Sequence, residues 1–128
     1  MTFTALIIFS ILWIISTYFG DRSISEISAT IALLWINLSS IVLMWLLFHF
    51  SQVYPSKVNP KIGFTTIVSV IFFSAIFLLI ATTKFIVVQA IPTSNGLLVE
   101  FGKGKLLFGF YYLVMLVGSI INFIKKYK

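Results

Sequence analysis

Four runs of the chain are almost wholly apolar, and the segments between them are polar. The first is MTFTALIIFSILWIISTYFG, residues 1–20, and the second is SATIALLWINLSSIVLMWLLFHF, residues 28–50. The third is FTTIVSVIFFSAIFLLIATT, residues 64–83, and the fourth is LLFGFYYLVMLVGSIINFI, residues 106–124. Each is close to the roughly 20 residues that carry a helix across about 30 Å of hydrocarbon. None contains Asp, Glu, Lys or Arg. Hydrocarbon cannot satisfy backbone N–H and C=O groups, so each run is predicted to be helical while it crosses. The first run lacks the basic start of a signal peptide, and no A-x-A-like site precedes Asp21. It reads as a retained helix.

The connections are short. DRSISEI joins the first two helices, and SQVYPSKVNPKIG, with Pro55 and Pro60 as helix breakers, joins the second and third. The stretch before the fourth run, KFIVVQAIPTSNGLLVEFGKGK at residues 84–105, is different. Continuing the third helix through Ile91 would make it about 42 Å long, longer than the hydrocarbon is thick. Lys84, the β-branched run Ile86-Val87-Val88 and Pro92 oppose continuation. Asn95-Gly96 favours a reversal with positive φ, and the flanks FIVVQAI and LLVEF suit strands. A short β-hairpin at or above the membrane surface is the favoured reading. A helix extension followed by a loop is the alternative. An isolated hairpin is marginally stable, so this one must pack on the bundle, the lipid surface or a partner. The expected fold is an all-α integral membrane protein. It is a single domain over 1–128, a mostly up-and-down four-helix bundle with a short extramembrane hairpin before the last helix.

Composition strengthens that reading. Of 128 residues, 60% are hydrophobic and 9% are charged, where a soluble domain carries about a quarter charged. There are too few polar side chains to cover a soluble surface. The net charge of +6 comes from cations at the ends of apolar runs, where anionic headgroups would meet them, so a nucleic-acid partner is not expected. Lys57, Lys61, Lys125, Lys126 and Lys128 fall on the side of the termini. Arg22, Lys84, Lys103, Lys105 and all three acids, Asp21, Glu26 and Glu100, fall on the other. The basic tail tips the balance toward both termini being cytoplasmic.

Candidate chemistry is sparse. There is no cysteine, and His49 is the single histidine, so thiol chemistry and a protein metal site within one chain are not expected. No acid lies in a span, so coupled ion transport lacks its usual carrier. No Ser/His/Asp set converges, since the acids and His49 are on opposite sides. FGKGKLLFG lacks the ending of a phosphate-binding loop and reads as a flexible lead-in to the fourth helix. Asn37-Leu38-Ser39 matches a glycosylation sequon but is mid-membrane and should be inert. No catalytic residue, metal ligand or cofactor is therefore predicted.

What remains is a set of small and polar residues on helix stripes. The second helix carries Thr30, Asn37, Met44 and Ser51 at heptad steps, with Ser40 nearby. The third carries Ser69, and the fourth carries Tyr111, Gly118 and Asn122. Such residues let helices approach closely and hydrogen-bond across their interface. Asn37, Ser40, Ser69, Gly118 and Asn122 are the helix-packing candidates. Read instead as a polar path, the same stripes would line a pore.

Two functions follow. The first is a non-enzymatic membrane protein that binds a membrane partner, as an accessory subunit, regulator or immunity-type protein, with Asn95, Gly96 and Glu100 as contact candidates. The alternative is a homo-oligomeric pore or channel, including a membrane-permeabilising effector. The partners expected are the lipid bilayer and either further copies of the chain or another membrane protein.

Overall fold

The computed structural model describes residues 1–54 and 63–127. Pro55, Lys57, Pro60, Lys61 and Lys128 lie outside the described residues. The elements run α1 (Thr2–Asp21), α2 (Glu26–Val53), α3 (Phe64–Thr82), β1 (Val87–Thr93), β2 (Gly96–Phe101) and α4 (Lys105–Lys126). The described residues are mostly helical, and all four helices are long and apolar enough to cross a membrane, as those of a multi-pass protein would be. The stretch before α4 is an antiparallel two-stranded sheet and not a continuation of α3.

The helices alternate in direction. The rings of Phe3, Phe50 and Phe123 meet at one end, with centroids 6.5 Å apart for Phe3–Phe50 and 6.4 Å for Phe50–Phe123. The start of α1 and the ends of α2 and α4 are therefore together. Thr66 Oγ1 donates to Gln52 Oε1 at 3.2 Å, which brings the start of α3 to the same end. The hairpin packs at the opposite end, where Leu97 reaches Gly20 of α1.

Helix α2 is the hub. It packs on α1, α3, α4 and β1, whereas α3 and α4 touch only slightly. It starts sharply because the Ser25 hydroxyl accepts from the Ser28 N–H at 3.2 Å, and Glu26 in the first turn complements the helix dipole. At its far end Lys126 of α4 donates to the carbonyls of Gln52 and, at 2.7 Å, Tyr54. A cation from one helix thus satisfies the terminal acceptors of another.

The core runs through α2, α3, α4 and the start of the hairpin. Ile41, Ile76, Ile80, Ile86, Tyr111 and Met115 are its larger members. Helix α1 contributes nothing to that cluster and buries only Gly20. The four helices are not equal members of a bundle, as the apolar runs alone suggest. Three of them and the hairpin make the core, and α1 is laid along α2. Its less exposed face includes the small residues Ala5, Ser10, Ser16, Thr17 and Gly20, which let it lie close along α2, while Ile7, Ile8, Ile11, Ile14 and Ile15 face outward.

Candidate functional site

The hairpin is the paired non-helical feature of the described residues, and its residues explain how it is held. The register pairs Gln89 with Glu100, Ala90 with Val99, Ile91 with Leu98, Pro92 with Leu97 and Thr93 with Gly96. Ala90 turns its N–H away from β2, toward Thr30 of α2, whose Oγ1 accepts it at 3.1 Å. Opposed residues of an antiparallel pair alternate between bonded and non-bonded. Ala90–Val99 is therefore a non-bonded pair, and the Val99 N–H and C=O point to the outer edge of β2. Pro92 sits two residues on in β1, where its missing N–H costs no ladder bond.

The two edges thus differ. The outer edge of β1 is covered: Thr30 takes Ala90, and Pro92 has nothing to offer. Among the described residues, no backbone partner meets the outer edge of β2 at Val99. The sheet's faces differ as well. Ala90, Leu97 and Val99 pack toward the core, while Leu98 and Glu100 are exposed. Glu100 is held in place by Gln89, whose Nε2 donates to its carboxylate at 2.7 Å.

The reversal is one residue earlier than Asn95-Gly96 suggests. Ser94 and Asn95 form the turn, and Gly96 opens β2 with φ of +117°. The positive φ that Asn-Gly implies is present, at the glycine. Thr93 Oγ1 donates to the Gly96 carbonyl at 2.7 Å and closes the loop. Asn95 is exposed at the turn.

The lead-in FGKGK is not flexible. The Gly102 N–H donates to the Ile86 carbonyl at 3.0 Å, and the Gly104 N–H donates to the Phe85 carbonyl at 2.8 Å. A Cβ on Gly102 would fall 2.2 Å from the Phe85 carbonyl oxygen, and one on Gly104 would fall 2.4 Å from the Phe85 ring. The glycines are there for close approach, and they lock the start of α4 to residues 84–86. The hairpin is clamped at its base by Gly102 and Gly104 and along one edge by Thr30.

The polar residues of the spans are placed as follows. Asn37 is buried, and its Nδ2 donates to Leu33 O of its own helix at 2.8 Å, with no bond to another helix among the described residues. A buried amide one turn below a helix carbonyl can be satisfied locally, and here it is. Ser40 and Ser69 likewise donate to Asn37 O and Thr66 O, within their own helices. Asn122 does cross: its Nδ2 donates to Ser51 Oγ at 3.1 Å, joining α4 to α2. Gly118 lies against the Phe48 ring, which a Cβ would approach to 2.7 Å.

Sequence reasoning missed a fully buried interhelical bond. Tyr111 is fully buried, and its hydroxyl donates to the Ile41 carbonyl at 2.7 Å. The signal was available, since a tyrosine in mid-span needs a partner for its hydroxyl. It also missed the free edge at Val99, which Thr30 and Pro92 together define. His49 stacks on Trp45 with centroids 5.5 Å apart, and Trp45 stacks on Phe73. Asn37 and Ser40 thus lie on α2, Ser69 on α3, and Gly118 and Asn122 on α4.

No family model matches the chain, and no curated protein or solved structure matches it either.

Proposed function

We propose that the chain is a multi-pass membrane protein with both termini in the cytoplasm, and that it acts without catalysis by docking a membrane partner on its hairpin. The observation that carries this reading is the asymmetry of the sheet. One edge is bound to α2, the base is clamped by two glycines, and the other edge has no backbone partner among the described residues. A rigid strand with an open edge adds a partner strand at little ordering cost. Leu98 and Glu100 flank that edge with an apolar and an acidic contact, and Asn95 and Gly96 stand at its tip. Open, unpaired edges are otherwise a liability that proteins cover.

The pore reading draws less support. Asn37 and Ser69 donate within their own helices, Ser40 does so too and also neighbours the Tyr112 hydroxyl of α4, and Tyr111 fills the space between α2 and α4. A pore would require these groups to turn toward a shared path.

Copurification in mild detergent from the native membrane tests the proposal, comparing the wild type with Val99→Pro. The Val99 N–H makes no ladder bond, so proline blocks the edge without breaking the sheet, and melting in detergent checks that the variant, which also loses the packing of the Val99 side chain, stays folded. A partner retained by the wild type and lost with Val99→Pro supports edge docking. A closed ring of identical chains that leaks ions from liposomes when purified alone would replace this reading with the pore. Reporter fusions at the C-terminus and at residue 95 check sidedness, and a cytoplasmic signal from residue 95 contradicts it.

A further inference from the structure

At the hairpin end, two adjoining clefts open between α2, α3 and β1, of about 270 and about 200 Å³. Both are lined by Thr30, Lys84 and Val88, so they form one continuous groove. Its outer part is lined by Glu26, Lys84 and Gln89. Its inner part is lined by Leu34, Ile80 and Ala81. Along α2, Leu34 lies about 12 Å deeper than Glu26, at 1.5 Å per residue. The groove thus carries Glu26, Lys84 and Gln89 beside Ile27 and Ile31 at its outer end, and Leu34, Ile80, Ala81 and Val87 beside Thr82 and Thr83 farther in.

Most polar groups in this groove are already engaged. The Thr30 hydroxyl is bound to Ala90, and the Gln89 amide donates to Glu100. The Thr82 and Thr83 hydroxyls donate to the carbonyls of Leu78 and Leu79. Two charges remain, the Lys84 ammonium and the Glu26 carboxylate. Both residues are exposed, and both line the outer part of the groove.

We propose that this groove binds one phospholipid whose headgroup carries a phosphate and a primary ammonium. The phosphate is taken by Lys84 and the ammonium by Glu26, with an acyl chain along Leu34, Ile80 and Ala81. The proposal rests on the multi-pass membrane reading. Charge complementarity selects the headgroup. Glu26 repels a headgroup of net negative charge, and a quaternary ammonium has no N–H to give the carboxylate. The site would tie the groove beside the hairpin's covered edge to the membrane and leave the open edge at Val99 free.

The test is native mass spectrometry of the purified chain released from micelles with equal amounts of phosphatidylethanolamine, phosphatidylcholine and phosphatidylglycerol. The wild type should retain phosphatidylethanolamine over the other two by about fivefold or more, a difference near 1 kcal/mol. Lys84→Ala should lose most of that retention, and Glu26→Gln should remove the preference over phosphatidylglycerol. Equal retention of the three lipids by the wild type would overturn the proposal, as would either variant behaving like the wild type. Incorporation into nanodiscs separates the two levels. A chain that incorporates but shows no preference rejects the groove alone, and a chain that does not incorporate rejects the membrane reading and the groove with it.

Discussion

The Thr30 hydroxyl accepts the Ala90 N–H at 3.1 Å and lies 3.5 Å from the Ala90 carbonyl, so one helix residue serves both backbone groups of a strand residue. Ala90 is fully buried, and water cannot replace that partner. Thr30→Val keeps the shape and removes the hydroxyl. It should cost about 1–3 kcal/mol, the penalty of orphaned buried groups, read as a lower melting temperature in detergent. Thr30→Ser should keep most of the stability. A Thr30→Val protein as stable as the wild type would show that the hairpin is not fixed through this contact.

Gly102 and Gly104 separate two kinds of close approach. On Gly102 a Cβ meets backbone, the Phe85 carbonyl oxygen at 2.2 Å, which cannot swing aside. On Gly104 it meets side chains only, the exposed ring of Phe85 at 2.4 Å and the buried Ile86 at 2.9 Å. Gly102→Ala should therefore break the clamp, with a loss at or above the roughly 1–3 kcal/mol of ordinary overpacking. Gly104→Ala should lose less. Melting of the two variants side by side checks the order, and the reverse order contradicts the geometry.

Gly96 presents the opposite case. Nothing lies within 4 Å of a Cβ built there, so only its φ of +117° resists substitution. Gly96→Val should cost about 1–2 kcal/mol, and Gly96→Asn should cost less because asparagine tolerates positive φ. Equal effects in a melting experiment would mean that the turn relaxes to another type.

Between the helices, the bonds that cross are the ones to remove. Tyr111→Phe deletes the donor to Ile41 and should cost on the order of 1 kcal/mol in detergent stability. Asn122→Leu should act similarly through Ser51. Asn37→Leu should cost less than either, because Asn37 donates within α2, with no bond to another helix among the described residues. A larger loss for Asn37→Leu than for Tyr111→Phe would contradict these assignments.

The four apolar helices were legible because each run has the length that hydrocarbon would demand, and the helix bounds differ from those runs by a few residues. The hairpin was legible from Asn95-Gly96, Pro92 and the β-branched run. What the chain hid was contact. Asn37 looks the same on paper whether it bonds across a helix pair or back to Leu33. Gly102 and Gly104 read as flexibility because a glycine's use depends on what lies opposite, here Phe85. Helix α1 is as apolar as the others, and only packing shows that it stays outside the core. The irregularity at Val87–Gln89 also disguises the strand. It leaves Ile86, Val87 and Ala90 buried, a spacing of three to four that resembles a helix in an accessibility scan. Strand alternation sought by cysteine labelling would be misread there, and backbone hydrogen bonding is the safer signature.

Residue-resolved hydrogen exchange over 84–105, in nanodiscs and without a partner, tests the central claim most directly. A clamped hairpin with one open edge predicts slow exchange at the Ala90, Gly102 and Gly104 amides, which donate to Thr30, Ile86 and Phe85. It predicts fast exchange at Val99. Slow exchange at Val99 in the isolated chain would show that the edge is already covered. Unbroken protection from 84 to 91, or uniform fast exchange throughout, would show that no clamped hairpin is presented.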